Sequence, residues 1–360
     1  MPDIIHVISD MGVGGAGILL SRLLTDAPNE AGSLALLPKG SLLCSVFEER
    51  RVPFSTYSAT GERSFSVRDA RTLGRILSKA TPKLVVAHAS LSARIAAKAL
   101  RISTASVRHC DTPVSRPSVP LYNALTNATV ATSRPLASRL TAAGVKGVFV
   151  IENGYTPVGV ATDAERWAAR RALSLPAGTL AVGLAGRLAP IKGQETALRA
   201  LSLLGKEGEG ITLCLLGVGE DEGRLRTLAF SLGIERQVRF LGFHADTRPF
   251  YHAIDAHLSC SLGSETSSLA LAEGLSAGCA TLASDTAGNR ARVGTGGRFF
   301  PVGDARALSR LLRTLLDGGE RTRLSRLASA RAEVLPSWES VKREYGALFG
   351  AFCREMGANG

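Results

Sequence analysis

At 360 residues the chain exceeds the roughly 100–200 residues that one core usually organises, so two domains with a cleft between them are expected. Apolar residues at 45% and charged residues at 21% describe a folded globular chain and exclude a disordered one. The net charge of +12 sits mainly in residues 1–155, which hold 18 Lys and Arg against 10 Asp and Glu. With aromatics at 5% and no basic stripe interleaved with exposed rings, nucleic acid is set aside as a partner; an anionic small ligand and an anionic membrane surface fit the charge instead.

The chain opens on MPDIIHVIS, whose acid at Asp3 and short apolar run read as a β-strand over 4–9, not as a signal peptide or membrane span. No later run approaches the about 18 uninterrupted apolar residues of a spanning helix, so a soluble or peripheral protein is expected. Short apolar runs then alternate with helical patterns, as in parallel sheets wrapped by helices. Strands are predicted over 33–37, 84–87, 104–108, 128–131 and 148–151. The segment Glu152-Asn153-Gly154-Tyr155-Thr156-Pro157 closes this series with an Asn-Gly pair and a proline, which sets a first domain at 1–155 and a second at 156–335. The second series predicts strands over 180–185, 211–216, 238–241, 256–260 and 280–283, with helices near 194–206, 221–232, 268–277 and 304–317. A last helix over 338–356 puts Val341, Tyr345, Leu348, Phe349 and Phe352 on one stripe, which needs a surface to pack on. The fold class is therefore α/β, two open doubly wound parallel sheets. Such sheets bind ligands beyond the carboxyl ends of their strands, so the loops after Ser9, Ala185 and Leu216 are expected to line the cleft. Cys44, Cys110, Cys214, Cys260, Cys279 and Cys353 are scattered with no CxxC pair, which fits reduced thiols in a cytoplasm and no zinc site.

Three constellations can carry chemistry. The run Gly12-Val13-Gly14-Gly15-Ala16-Gly17 follows a strand and precedes a helix, so the N–H groups at Gly14 and Gly15 can approach a phosphate. A dinucleotide fold would want an acid at the end of the second strand; Pro38-Lys39-Gly40 stands there, leaving a phosphate loop or a plain tight turn. The second loop, Gly186-Arg187-Leu188-Ala189-Pro190-Ile191-Lys192-Gly193-Gln194, holds two cations that can converge on one anion, Arg187 as a bidentate fork and Lys192 as a point charge. A solvated basic loop is the bland alternative. No DxD occurs, so a departing diphosphate would be neutralised by these cations and not by a metal. The acids Glu220-Asp221-Glu222 read as an exposed helix start. In the third, SETSSLALAEGL, Glu265 precedes a helix and Glu273 lies inside it among Leu269, Ala270, Leu271, Ala272 and Leu275. A buried carboxylate costs several kcal/mol, of the order of ~3–5, unless partnered, so Glu273 should meet a ligand hydroxyl such as a ribose or an internal arginine. Ser267 and Ser268 cap that helix, and the N–H groups at Ser268 and Leu269 add a second anion site.

His109 ends the strand TASVR at its carboxyl side, where a site residue belongs. His88 ends its own strand in weaker company, His244 reads as a loop residue, and Cys110 as a small apolar filler. Over 66–79, Arg68, Arg71, Arg75 and Lys79 share one side of a helix and Val67, Ile76 and Leu77 another; this fits either a solvated outer face or contact with anionic lipid headgroups.

The runs AGRLAPIKG, LGVGE, VRFLGF, SETSSLALAEGLSAGCATLASDTAGN and FFPVGDARAL, in this order and spacing, resemble the C-terminal domain of retaining glycosyltransferases of family 4. VVAHAS, SVRHCD, VATSRPLASRLTAAGV and VIENG match the first half more loosely. The resemblance implies a GT-B fold, two Rossmann-like domains facing a central cleft: an acceptor domain, a nucleotide-sugar donor domain, and a final helix over 336–360 crossing back to the first. It implies that Arg187 and Lys192 hold the donor diphosphate, Glu273 the ribose and Phe243 the nucleobase edge, with Glu265 by the transferred sugar and His109 near the reacting hydroxyls. Thr266-Ser267-Ser268 replaces the family's frequent Gly-aromatic-Gly. The activity implied is metal-independent, retaining transfer of a hexosyl unit, with no cofactor beyond the donor substrate. The donor is a nucleotide-diphosphate sugar, UDP favoured, and the acceptor a saccharide or lipid-linked saccharide of the cell envelope. The setting is the cytoplasm or the inner membrane face, which the basic first domain would touch. A non-catalytic nucleotide-sugar binding protein and a sugar-nucleotide epimerase are the alternatives.

Overall fold

Short buried apolar runs separated by amphipathic helices build two parallel sheets, each in its own unit of the computed structural model. The structure describes residues 2–25, 32–60, 65–110, 112–263 and 267–357, the last three by backbone alone. The first unit comprises Met1–Gly154 with Pro336–Gly360, the second Tyr155–Leu335.

In the first unit the order is β1 Ile4–Ile8, α1 Gly15–Leu24, β2 Ser33–Pro38, α2 Leu43–Glu49, β3 Phe54–Tyr57, α3 Val67–Ala80, β4 Leu84–His88, α4 Leu91–Ala99, β5 Ser103–Arg108, α5 Val119–Ala124, β6 Ala128–Ala131, α6 Arg134–Ala142 and β7 Val148–Val150. The strands lie in the order β3-β2-β1-β4-β5-β6-β7, all pairs parallel. The central β1 and β4, IIHVI and LVVAH, are buried at every position, as strands covered on both faces must be. Strand order reverses between β1 and β4, and at such a switch point the connections leave to opposite sides and open a crevice beyond the carboxyl ends.

The second unit runs α7 Asp163–Ala172, β8 Leu180–Ala185, α8 Gln194–Ser202, β9 Ile211–Leu216, α9 Glu222–Ser231, β10 Val238–Gly242, α10 Arg248–Ala253, β11 Ala256–Ser259, α11 Leu269–Ser276, β12 Ala280–Ser284, α12 Ala287–Val293, β13 Gly297–Phe300, α13 Ala305–Thr314 and α14 Gly318–Glu333. Its strand order, β10-β9-β8-β11-β12-β13, puts the switch point between β8 and β11. Asp255, just before β11, accepts from the Ala181 backbone N–H at 2.7 Å and pairs with Arg170 at 3.2 Å and with Arg166, so α7 is anchored where β8 and β11 begin.

The final helix, α15 Trp338–Gly357, belongs to the first unit and packs on β4. Its buried seam is Val341, Tyr345, Phe349 and Cys353, one residue every four. Leu348 and Phe352, expected on this stripe, are half-buried at its margin. Lys342 ties the helix to the end of α1 by donating to the Thr25 carbonyl at 2.8 Å.

Other expectations need correction. Strands β3 and β13 are absent from the sequence reading because they are sheet edges, with exposed or half-exposed residues breaking the apolar run. The helix expected over 194–206 stops at Ser202, and Gly205–Gly210 forms 3-10 turns, since three glycines in six positions cannot sustain an α-helix. The helix expected to 317 ends at Thr314.

Candidate functional site

At the switch point of the second unit, four connections are joined through their backbones. Gly186 donates to the Leu216 carbonyl at 2.9 Å, Leu188 to Val218 at 3.0 Å, and Gly217 to Gly242 at 2.8 Å, which joins the loops after β8, β9 and β10. Leu262, beyond β11, donates to the Ile191 carbonyl at 2.9 Å and brings in the fourth. The approach is close: Gly193 sits at φ +66°, and a Cβ there would lie 2.1 Å from the Cys260 carbonyl oxygen. Only glycine meets both demands. The loop after β8 is thus laid across the end of β11, and Lys192 and Ser268 line one small cavity of about 10 Å³ with His257, Ser259 and Ser261. Arg187 projects from the same loop as an exposed side chain, while its carbonyl accepts from Gln194 Nε2 at 2.9 Å.

Ser268 is the N-cap of α11, its hydroxyl accepting from the Leu271 N–H at 3.3 Å, and Leu269 is the first helical residue. Arg292 of α12, only 3% exposed, donates through Nε to the Ser268 carbonyl at 3.1 Å. This buried cation behind the cap was not visible in the sequence, because its partner is 24 residues away. Glu273, 7% exposed, accepts at Oε2 from the Thr247 hydroxyl at 3.2 Å. Thr247 closes the β10–α10 connection that begins with the exposed Phe243, so Glu273 and the Phe243 loop are held together. In that loop His244 Nε2 lies 3.1 Å from the Leu241 carbonyl. Glu265 lies outside the described residues. In the acidic run at α9, Glu220 is exposed as expected and Glu222 half-exposed, but Asp221 is buried and pairs with Arg224 at 2.6 Å.

The switch point of the first unit holds the glycine loop and a histidine array. Gly14 is the N-cap of α1 and Gly15 its first residue, and a side chain at either would enter open space. Gly17 is different: a Cβ there would lie 2.2 Å from a Leu43 methyl, so that glycine serves helix packing. The loop is braced by Leu42 N–H on the Met11 carbonyl at 2.9 Å and Ser41 Oγ on the Asp10 carbonyl at 2.8 Å. Beside it, His6 Nδ1 lies 3.2 Å from His88 Nε2, and His88 Nδ1 lies 2.9 Å from His109 Nε2. The His88 and His109 rings lie nearly parallel, 16° between their planes, with centroids 5.1 Å apart. Burial lowers His6 to about 3. Burial, reinforced by the Arg108 cation, lowers His109 to about 4. His88 is lowered by burial and by both neighbouring rings. All three are therefore neutral imidazoles near pH 7. The sequence reading singled out His109, gave His88 less weight and did not consider His6, which hides inside an apolar strand; the structure brings the three rings together. Cys110, expected as apolar filler, is exposed, its Sγ 3.2 Å from Thr112 Oγ1.

On α3, Arg68, Arg71, Arg75 and Lys79 are all exposed. Leu73 and Leu77 face inward, whereas Val67, expected on the apolar side, is 54% exposed. Among the described residues no helix is long and apolar enough to cross a membrane, and no three His, Cys, Asp or Glu side chains cluster as a metal site would require.

Residues 165–331 match the model of the family glycosyl transferases group 1. Over 205 residues the chain is 31% identical to the lipopolysaccharide core biosynthesis glycosyltransferase LpsE of Rhizobium meliloti (strain 1021), covering 56% of this chain and 57% of that protein. It is 31% identical over 207 residues to the D-inositol 3-phosphate glycosyltransferase of Mycobacterium bovis (strain BCG / Pasteur 1173P2), covering 54% and 41%. The chain thus spans about half the length of the curated relatives it matches. Among solved structures, Anabaena Alr3699/HepE in complex with UDP and glucose superposes with a TM-score of 0.84 at 20% identity, covering 97% of this chain and 100% of that one. WaaG, a glycosyltransferase involved in lipopolysaccharide biosynthesis, gives 0.74 at 13% identity over 96% and 99%. At these identities the likeness shows the fold, the two-Rossmann-domain GT-B architecture.

Proposed function

We propose, from the match of residues 165–331 to the model of the family glycosyl transferases group 1, that the chain transfers a hexosyl unit from a nucleotide-diphosphate sugar, UDP favoured, to a hydroxyl of a saccharide or lipid-linked saccharide. Transfer proceeds with retention and without a metal, in cell-envelope polysaccharide synthesis at the cytoplasmic side of the membrane. The second unit takes the donor and the first the acceptor.

The observation that carries this reading is the meeting of the Lys192 loop with the N-terminus of α11 at the β8/β11 switch point. A helix N-terminus presents backbone N–H groups and a partial positive charge, and Lys192 and Arg187 add two full charges from one loop. Together they suit a diphosphate, whose charge grows as the glycosidic bond to the sugar breaks; stabilisation of that growing charge lowers the barrier. Glu273, held by Thr247 next to the Phe243 loop, accepts from ribose hydroxyls, and Phe243 offers its ring to the base. Gly14 and Gly15 leave room for substrate at the first unit. His109 addresses the reacting hydroxyls, and Glu265 the transferred sugar. UDP is the favoured nucleotide because the HepE structure superposes over nearly the whole chain with UDP bound to it.

Calorimetric titration with UDP, ADP and GDP, each with and without EDTA, tests the donor side. Binding of UDP unchanged by chelation is expected. Failure of all three nucleotides to bind contradicts the reading, and loss of binding with EDTA contradicts metal independence.

A further inference from the structure

His6, His88 and His109 come from three separate places in the chain, on β1, at the end of β4 and just after β5, yet their ring nitrogens meet at 3.2 and 2.9 Å. His6 and His88 are each 1% exposed, and neither has a place in the donor chemistry. A buried imidazole pair needs a geometric reason, since an unsatisfied ring nitrogen costs free energy.

Proton counting supplies one. Each neutral imidazole carries one N–H and one lone pair, so three rings hold three N–H groups, and the two contacts consume two of them as donors. The third must lie at an end of the array, on His6 Nε2 or on His109 Nδ1. If His109 Nε2–H donates to His88 Nδ1, then His88 Nε2–H donates to His6 Nδ1, and His109 Nδ1 carries a lone pair. If the bonds run the other way, His109 Nδ1 carries the hydrogen. Mixed arrangements leave one contact with two donors or two lone pairs facing each other. The hydrogen-bonding character of His109 is thus linked, through His88, to a ring on β1.

The β1 end is held from a second side: the Phe349 ring of α15 meets His6 edge-on with centroids 5.8 Å apart. That contact fixes the His6 ring without supplying a competing polar partner from Phe349. We propose that His6 and His88 are positioning residues, whose N–H···N bonds couple the tautomer of His109 to that of the ring on β1 and so orient it for the role given above. This rests on the role given to His109 above, but the array itself is testable without turnover.

The test is nitrogen-15 NMR of the ligand-free full chain labelled at histidine. Each neutral tautomer has a distinct pair of ring nitrogen shifts, and an N–H···N bond transmits a scalar coupling between its two nitrogens. The expected spectrum shows coupling for both His6–His88 and His88–His109, with all three rings in the matching tautomer. In His6→Leu, the tautomer populations of His109 shift although the substitution is two rings away. Absence of both couplings, or a His109 spectrum unchanged in folded His6→Leu, overturns the proposal. If His6→Leu does not fold, the wild-type couplings decide alone. With an active donor–acceptor pair, His6→Leu lowers kcat about tenfold, with the donor KM within about twofold, a part of the roughly 10²–10⁴-fold that a positioned acid–base group contributes. Couplings present without any sugar transfer leave the array standing and overturn the activity reading instead.

Discussion

Thr247 donates its hydroxyl hydrogen to the buried carboxylate of Glu273 over 3.2 Å, joining the β10–α10 connection to the middle of α11. The partner on Glu273 is therefore in part the protein's own. Glu273→Gln keeps the shape and the acceptor oxygen but removes the charge. We expect UDP affinity to fall about 10–100-fold, as a hydrogen bond to a charged group is worth about 1.5–3 kcal/mol. Thr247→Val should cost about 1 kcal/mol of stability and weaken UDP binding less. Calorimetry and urea unfolding of the two variants check the order.

Gly193 answers to two constraints, a φ of +66° and the Cys260 carbonyl 2.1 Å from where a Cβ would stand. Gly193→Ala is expected to destabilise the second unit by about 2 kcal/mol or more, beyond the about 1 kcal/mol of positive φ alone, and to displace Lys192. Gly223, which has open space at its Cβ, serves as the control, and Gly223→Ala should leave the midpoint unchanged or raised. Thermal denaturation of both distinguishes a special backbone from a general preference for glycine.

The α15 seam should matter to the first unit more than its length suggests. Phe349→Ala removes a ring that is 4% exposed and that touches His6, and a loss of about 3–5 kcal/mol is expected. Phe352→Ala, at the half-buried margin, should cost less than half of that. Denaturant midpoints of the two variants check the ranking.

The buried histidines give stability a defined pH dependence. His6 is lowered to about 3, and His109 and His257 to about 4, from 6.5. Each therefore binds a proton more readily in the unfolded chain. Their contribution is complete above pH 6.5 and is lost as the pH falls from 6.5 toward about 4, at up to about 1.4 kcal/mol per pH unit for each. His257→Leu should flatten that slope by about one histidine's share. Unfolding free energies between pH 4.5 and 7.5 that rise with acidity would contradict these shifts.

The double alternation of strand and helix was legible because central parallel strands are buried on both faces and read as continuous apolar runs, as in LAVGLA and ITLCLL. Edge strands such as FSTY and GRFF carry no such signal, because one face meets solvent. Glu273 was legible as a buried acid because its helix is apolar on nearly every side, but Thr247, 26 residues earlier, was not. His6 was hidden for the same reason: its partner His88 is 82 residues away, and only the strand order brings the two together. Local composition announces which residues are buried. It does not announce what they meet.

The most direct test of the account is the release of UDP from UDP-sugars in the presence of saccharide acceptors, compared between the wild-type chain and the variants Arg187→Ala and Lys192→Ala. Removal of one preorganised cation from a departing diphosphate should lower kcat by about 100–1,000-fold while the unfolding midpoint stays put. Turnover in both variants close to that of the wild type would contradict the assignment of this loop to the leaving group, and with it the proposed site.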